Sequence, residues 1–430
     1  MKTNMKKKGF TLVELLVVIA IIAILAVVSV VGYTTFITKA NLSADQQAVA
    51  QMNTMLEALD VTNEPQDIKA LYEYLNQTGM TAEDYKPLSK DHIFVWDKEL
   101  NRVLLVKDNK VVYPEEYAEI ANPNNWFNLK ADEITLGEAP TVTNGAVSLG
   151  SASDLITTFK NVADIKTMTL SGDVNLMGAN AFIPKVNSDL TIDGNNKTVY
   201  NLVSTEYATI GKAYKGDASA QNQAYASGFV GEVKKGETLT IKNVVFDGLT
   251  IGDYETGSVG IIVGNLMGEL VLENVTIRNC TVYGQNKVGI IAGYLQQDGA
   301  KVTLKNVKIE NCTVNTSEGE AGKVFGMVHP DATIAVDGLT VTDTVVNNVE
   351  YGNHKFVTIN GVKYITKVDG NGNVDKSTIS GKAYTRVCQS AGEDTLAWFY
   401  PASFGYAVLD DTYCGRPAVE KTTVADLTKN

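Results

Sequence analysis

The chain has 430 residues, 44% hydrophobic and 20% charged, with a formal net charge of −12. That length exceeds one typical domain and predicts two or three folded units. An acidic body excludes nucleic acid as a partner, since phosphate binding needs clustered Lys and Arg; it suits an outward-facing soluble surface. With three His and four Cys, the chain carries no H-E-x-x-H, C-x-x-C, P-loop or G-x-S-x-G signature. No cofactor, no metal site and no catalytic residue are expected.

Lys2, Lys6, Lys7 and Lys8 precede an apolar run from Phe10 to Val31, interrupted by one carboxylate, Glu14. About 20 apolar residues suffice to cross a bilayer, and the lysines hold the N-terminus on the cytoplasmic side. A charge at bilayer depth costs roughly 2.5–3.5 kcal/mol, so Glu14 needs a partner. An ordinary anchor has no use for it, and no A-x-A-like cleavage site ends the run.

The stretch K-K-K-G-F-T-L-V-E-L-L-V-V-I-A-I-I-A-I-L-A, residues 6–26, resembles the class III leader of type IV pilins and pseudopilins. The resemblance extends to about residue 59. It implies a leader at 1–9, removed after Gly9 by a prepilin peptidase. Phe10 then becomes the N-methylated N-terminus, and Glu14 meets the Phe10 amine of a neighbouring subunit. An ammonium and a carboxylate attract strongly in a low dielectric, while either alone is costly. The pair therefore fixes register more than it adds stability. The implied partners are the membrane, the peptidase and other pilin subunits. The implied location is the cell membrane before assembly and the cell surface afterwards, with an extracellular head.

Residues 10–60 read as one pilin-type helix, transmembrane over 10–31 and amphipathic beyond. Tyr33, Phe36, Ile37, Ala40, Ala44, Ala48, Met52, Met55, Leu56 and Leu59 form its apolar stripe. Lys39, Asn41, Asp45 and Gln46 are placed on other faces. A helix of that length spans about 75 Å, with a gentle bend expected at Gly32.

Residues 61–135 read as a small α/β connecting unit. Asp67–Gln77 has helical spacing. His92–Trp96, Arg102–Val106 and Lys110–Tyr113 read as three strands joined by turns at Asp97–Asn101 and Asp108-Asn109. Trp96, Tyr113, Trp126 and Phe127 are assigned to its core rather than to a stacking site. The unit resembles the β-meander that pilin heads lay against the long helix. Residues 131–150 read as a linker or first strand, with Pro140 and Gly145 at turns.

Self-similarity runs from about 190 to 346. Leu239–Ile251, Leu270–Val282, Val302–Val314 and Ile334–Val346 align at offsets of 31, 32 and 32 residues. Leu190–Leu202 fits as an earlier copy. A second motif lies between copies: Gly228–Gly231, Gly260–Gly264, Gly289–Gly293 and Val324–Gly326. This periodicity predicts a parallel β-solenoid over 140–350, one coil per repeat. A β-sandwich is the structural alternative. Asn243, Asn274 and Asn306 should stack at a corner, their amides reaching the next coil's backbone. The repeats resemble those of right-handed parallel β-helices in surface adhesins and polysaccharide lyases. The expected fold class is thus α+β: a long N-terminal helix, a small meander and a mainly β, right-handed solenoid head.

Cys280 and Cys312 share a repeat position. A disulfide fits the ~4.8 Å strand spacing, but an internal ladder of small hydrophobes is the preferred reading. Residues 351–430 read as a C-terminal β segment. Phe356–Ile359 and Val362–Val368 are strands around an Asn360-Gly361 turn. Asp369–Asp375 has some calcium-loop spacing, but Val374 stands where Gly belongs and no Glu follows, so it is read as a turn. Tyr384, Trp398, Phe399, Tyr400, Phe404, Tyr406 and Tyr413 are read as a small aromatic core. Cys388 and Cys414 flank a 25-residue loop in an exported chain, where a disulfide contributes roughly 3 kcal/mol. It also resembles the C-terminal disulfide loop of many pilins.

The charged repeat positions Lys242, Glu273, Arg278, Lys305, Lys308 and Glu310 are mixed in sign and read as a solvated face. His329 and His354 have no triad partners in the sequence. The expected function is a prepilin-peptidase-processed subunit of a type IV pilus or related filament. Its large head would meet a surface glycan or protein receptor, as a minor or tip subunit. The alternatives are a pseudopilin of a type II secretion system and a membrane-anchored carbohydrate-active enzyme.

Overall fold

The computed structural model describes residues 12–59, 64–130 and 136–352, excepting 66, 82–83, 211–223, 297–298, 318–320 and 330–331. Beyond them it describes 354–359, 362–367, 371, 388–389 and 397–399. Side chains at 12–14 and 23–33 lie outside the description, as do most after 352. The chain divides into two compact units, 1–121 and 122–430.

In the first unit, α1 runs Leu12–Glu57. Its C-terminal half buries Val49, Met52 and Leu56. A second helix, α2 (Ile68–Gln77), starts at Asp67, whose carboxylate accepts from the Ala70 N–H at 2.8 Å. That cap satisfies an orphan helical donor. Ile68, Leu71 and Leu75 form its buried face. An antiparallel meander follows: Ile93–Asp97, Arg102–Lys107 and Lys110–Tyr113. Asp108 and Asn109 both take positive φ at its second turn, the geometry two-residue hairpins favour. Trp96 is buried and donates its indole N–H to Asn101 Oδ1 at 3.2 Å. It is a core residue, as the sequence reading has it.

The second unit is a parallel β-solenoid of about four turns. Long strands mark off these turns: Leu190–Tyr200, Thr238–Asp247, Glu269–Arg278, Lys301–Glu310 and Thr333–Thr342. These stack in parallel. Leu239 pairs with Leu270, Leu270 with Val302, and Val302 with Ile334. That is the register of the sequence repeat. The earliest copy departs from it. Lys242 pairs with Asp193, but Val244 pairs with Lys197. Two extra residues sit at that corner, so Val203 pairs with Thr250 and the simple alignment of Leu202 with Ile251 fails by two.

Each long strand bends in its middle. Leu239 and Ile241 point inward before the bend, Val244 and Phe246 after it. The parity switch needs one residue out of the pleat. Asn243, Asn274 and Asn306 supply it at φ of 53°, 54° and 49°, and Gly338 takes the place in the last turn at 83°. Asn and Gly visit the left-handed region at least cost. Short strands complete each turn: a second sheet through Thr250–Ile251 and Thr281–Gly284, a third through Ser258–Gly260, and a fourth through Val263–Leu266.

The repeated glycines permit close approach of the third and fourth sheets. A Cβ on Gly264 would stand 2.6 Å from the Ser227 nitrogen, and one on Gly293 would stand 2.4 Å from that of Val259. Ile261, Ile262, Ile290 and Ile291, between the glycines, lie in the continuous apolar core. The sequence reading missed α3, Ala152–Phe159. Ser151 Oγ accepts from the Asp154 N–H at 3.1 Å, and the Asp154 carboxylate accepts from the Gly150 N–H at 2.9 Å. Leu155 and Phe159 join the solenoid core, where Phe159 meets Phe229 edge-on at 5.0 Å. After the last turn, His354–Ile359 and Val362–Lys367 form the expected hairpin, Ile359 pairing with Val362.

Candidate functional site

Gly9 and Phe10 lie outside the described residues, while Glu14 lies on the first turn of α1 with its side chain undescribed. The next two turns are described. Leu15, Leu16, Ile19 and Ile22 are 55%, 62%, 58% and 59% exposed. With Val17, Val18 and Ile21, also exposed, they lie on all sides of the helix, and a helix apolar all round belongs in a membrane or a protein core. Among the described residues, no helix is long and apolar enough to cross a membrane. Phe36, further along, is 68% exposed.

The lower half of α1 is held by polar groups as well as apolar ones. Asp45 is buried, correcting its placement on an outer face. Its two carboxylate oxygens accept from the Leu88 and Ser89 N–H groups at 2.7 and 2.8 Å. Asn41 donates to the Leu88 carbonyl at 3.2 Å. Asn53 is also buried; its amide accepts from the Val103 N–H at 2.7 Å and donates to the Val103 carbonyl at 2.9 Å. The buried line therefore runs Asp45, Val49, Met52, Asn53 and Leu56. The apolar stripe read from the sequence holds only Met52 and Leu56 of these five; it passes over Asp45 and Asn53, which are polar, and takes Ala48 in place of the buried Val49. Their spacing of three and four residues was the available signal.

On the solenoid, the charged positions form ladders. Asp193, Lys242, Glu273, Lys305 and Asp337 stand in register along the long sheet with alternating sign. Asp247, Arg278 and Glu310 form a second such row. Arg278 meets Asp247 at 2.8 Å, and Lys242 meets Asp193 at 3.2 Å. Burial pushes the Asp193 carboxyl up, but the Asn195 N–H, the Asn243 amide and Lys242 together hold it below its ordinary value. Among the described residues, no group of three or more His, Cys, Asp or Glu is placed to hold a metal ion.

The Asn ladder bonds side chain to side chain, not to backbone. Asn274 donates to Asn243 Oδ1 at 3.0 Å, and Asn306 donates to Asn274 Oδ1 at 2.9 Å. A second ladder, unseen in the sequence reading, runs from Asn311 to Asn279 at 2.9 Å and on to Asp247 at 2.7 Å. Cys280 and Cys312 are free and buried in stacked turns. Burial pushes the Cys280 thiol well up, while the hydrogen bond with Cys280 pulls the Cys312 thiol down; both pack in the apolar core. Cys388 lies on a short strand paired with Val362–Lys367. Cys414 and the 369–375 turn (save Asn371) lie outside the described residues.

One acidic residue is deeply buried on the fourth sheet. Glu232 is 1% exposed, with Lys234 Nζ at 2.8 Å and Lys185 Nζ at 3.6 Å. Asn265 donates to its other oxygen at 3.3 Å. The amide bonds one oxygen, and the two amines face the other as ion pairs without a formed hydrogen bond, which offsets part of the cost of burying the charge.

Residues 4–30 match the family described as the prokaryotic N-terminal methylation motif. The chain carries the class III signal of type IV pilins. No curated protein and no solved structure matches the chain. The motif supports a pilin- or pseudopilin-type subunit, and it implies processing by a prepilin peptidase and assembly with other such subunits. The motif implies a membrane-anchored, later surface-exposed protein.

Proposed function

We propose that the chain is a filament subunit of the type IV class that carries its solenoid as an adhesive head. The single observation that carries this is the methylation motif at residues 4–30. Cleavage after Gly9 frees the Phe10 amine on the cytoplasmic face. Residues 10–31 hold the subunit in the membrane until assembly. Glu14 then takes the Phe10 amine of a neighbour, because a lone carboxylate in an apolar helix bundle costs several kcal/mol. The exposed Phe36 and Ile37 continue the apolar surface that neighbouring helices would cover.

The second unit runs from 122 to 430. Repeating so large a head at the small rise of a helical filament is sterically demanding, which favours a minor or tip position. A Cys388–Cys414 disulfide belongs to the same reading, and a surface glycan or protein is the receptor. Gly9→Ala tests the cleavage step. The variant should accumulate as uncleaved precursor on an immunoblot; normal processing would sink the proposal.

A further inference from the structure

Amines, an acid and an amide converge on the fourth sheet. Lys185, Glu232 and Asn265 are register partners on three successive strands, Ile183–Val186, Val230–Val233 and Val263–Leu266. Tyr294 and Met327 continue the row over the next two strands. Water is largely excluded from it: Glu232 is 1% exposed, Asn265 0%, Tyr294 4% and Met327 1%. Lys234 follows Glu232 by two residues, with the core residue Val233 between them. Lys234 therefore shares the face of Glu232 and lies diagonally across from Asn265, within reach of a long side chain.

These groups meet at one carboxylate. Glu232 Oε2 faces Lys234 Nζ at 2.8 Å, and its other oxygen accepts from the Asn265 amide at 3.3 Å. Asn265 Oδ1 is buried and accepts no hydrogen bond among the described residues. A buried acceptor left unmade is costly and calls for a reason. The long sheet supplies an internal comparison. Lys242 Nζ stands 3.2 Å from Asp193, and the Asn243 amide donates to Asp193 at 3.2 Å. There the acid is 26% exposed, and Asn243 Oδ1 accepts from Asn274. The same chemical types thus form a solvated, satisfied ladder at Asp193 and a dry, unsatisfied cluster at Glu232.

We propose that Lys234 and Asn265 join in an isopeptide bond, with Glu232 carrying the protons. Lys234 Nζ gives a proton to Glu232 across the ion pair, and the neutral amine adds to Asn265 Cγ. Two of the three Nζ protons pass through the carboxylate to Asn265 Nδ2. The Cγ–Nδ2 bond breaks, the nitrogen leaves as ammonium, and the carboxylate is regenerated. One proton stays on the new amide nitrogen, and no oxidant or reductant is needed. Lys234, 37% exposed, marks the way out for the ammonium. Fixed groups react at effective concentrations on the order of 10⁵–10⁸ M, and the paired strands hold these three in place. The bond ties the fourth strands of successive turns. Solenoid turns otherwise hold only through their neighbours, so the tie resists unzipping. That purpose rests on the displayed-head reading; the bond itself does not.

The test is peptide mapping by tandem mass spectrometry. The full chain is purified in detergent, denatured and digested with trypsin. The peptide holding Asn265 should appear joined to the one holding Lys234, lighter than their sum by one ammonia, with no cut at Lys234. Asn243 should keep its amide nitrogen. Lys234→Arg keeps the positive charge but removes the amine, and should abolish the joined peptide. Glu232→Gln should abolish it too, while Lys185→Arg should leave it in place. The Lys234→Arg variant carries the test if Glu232→Gln unfolds. Separate Lys234 and Asn265 peptides from the unsubstituted chain overturn the proposal, as does a joined peptide at full yield in Glu232→Gln. The bond is read within one chain, so its absence leaves the cleavage and assembly reading untouched.

Discussion

The left-handed asparagines carry the solenoid's corners. Asn274 sits at φ 54° and both donates to Asn243 and accepts from Asn306. Asn274→Ala removes two amide bonds and leaves the left-handed position to a residue without the polar side chain that eases it for Asn, a strain of about 1–3 kcal/mol. Asn274→Gly removes the same bonds without that strain. Denaturant unfolding should therefore rank wild type above Gly and Gly above Ala; an Ala variant as stable as Gly contradicts the corner argument. Asp193 carries a pH signature. Its carboxyl is held below the ordinary value of about 3.9 by the Asn195 N–H, the Asn243 amide and Lys242, against the opposing push of burial. A depressed folded-state pKa stabilises above the unfolded value and is lost as pH falls through the folded one. Asp193→Asn should flatten the acid limb of the stability profile below about pH 4 and leave its shape near neutrality unchanged. A wild-type acid limb in that variant contradicts the assignment. At Glu232 the exposed partners limit the loss: Glu232→Ala leaves the buried Asn265 amide without that acceptor, while Lys185 and Lys234, 33% and 37% exposed, stay partly solvated, and it should cost about 1–3 kcal/mol.

At the scale of elements, two polar anchors fasten α1 to its unit. Asp45→Ala leaves the Leu88 and Ser89 N–H groups without their acceptor, and Asn53→Ala frees both groups of Val103. Each should cost about 2 kcal/mol or more and open the 88–103 segment to amide hydrogen exchange, which is the measurement that checks it. Unchanged exchange there would count against the anchoring role. These anchors show what the sequence hides. Long-strand register was legible because Leu239, Leu270, Val302 and Ile334 repeat one apolar phase. The hairpin at 354–367 was legible from alternation on both sides of the Asn360-Gly361 pair. Asp45 was misplaced because hydrophobic periodicity treats every carboxylate as solvent-facing, although backbone donors can bury one. The α3 cap was passed over because its signal is short: Ser151 and Asp154 ahead of a single apolar turn. The corner insertion at Asp193–Lys197 was invisible because the flanking strands align well on either side of it.

For the whole molecule, the division of labour follows the chemistry. Residues 4–30 carry the methylation motif, and the solenoid stacks its long strands in one register. Glu14→Ala should permit export and cleavage yet exclude the subunit from filaments, because the neighbour's amine loses its partner. Immuno-electron microscopy of surface filaments reads that outcome, and normal incorporation of the variant would argue against it. The central claim is tested most directly one step earlier, by mass spectrometry of the mature chain's N-terminal peptide. The account predicts a chain that begins at Phe10 and carries one extra methyl group on its amine. A mature chain that still begins at Met1, or begins beyond Val31, contradicts it.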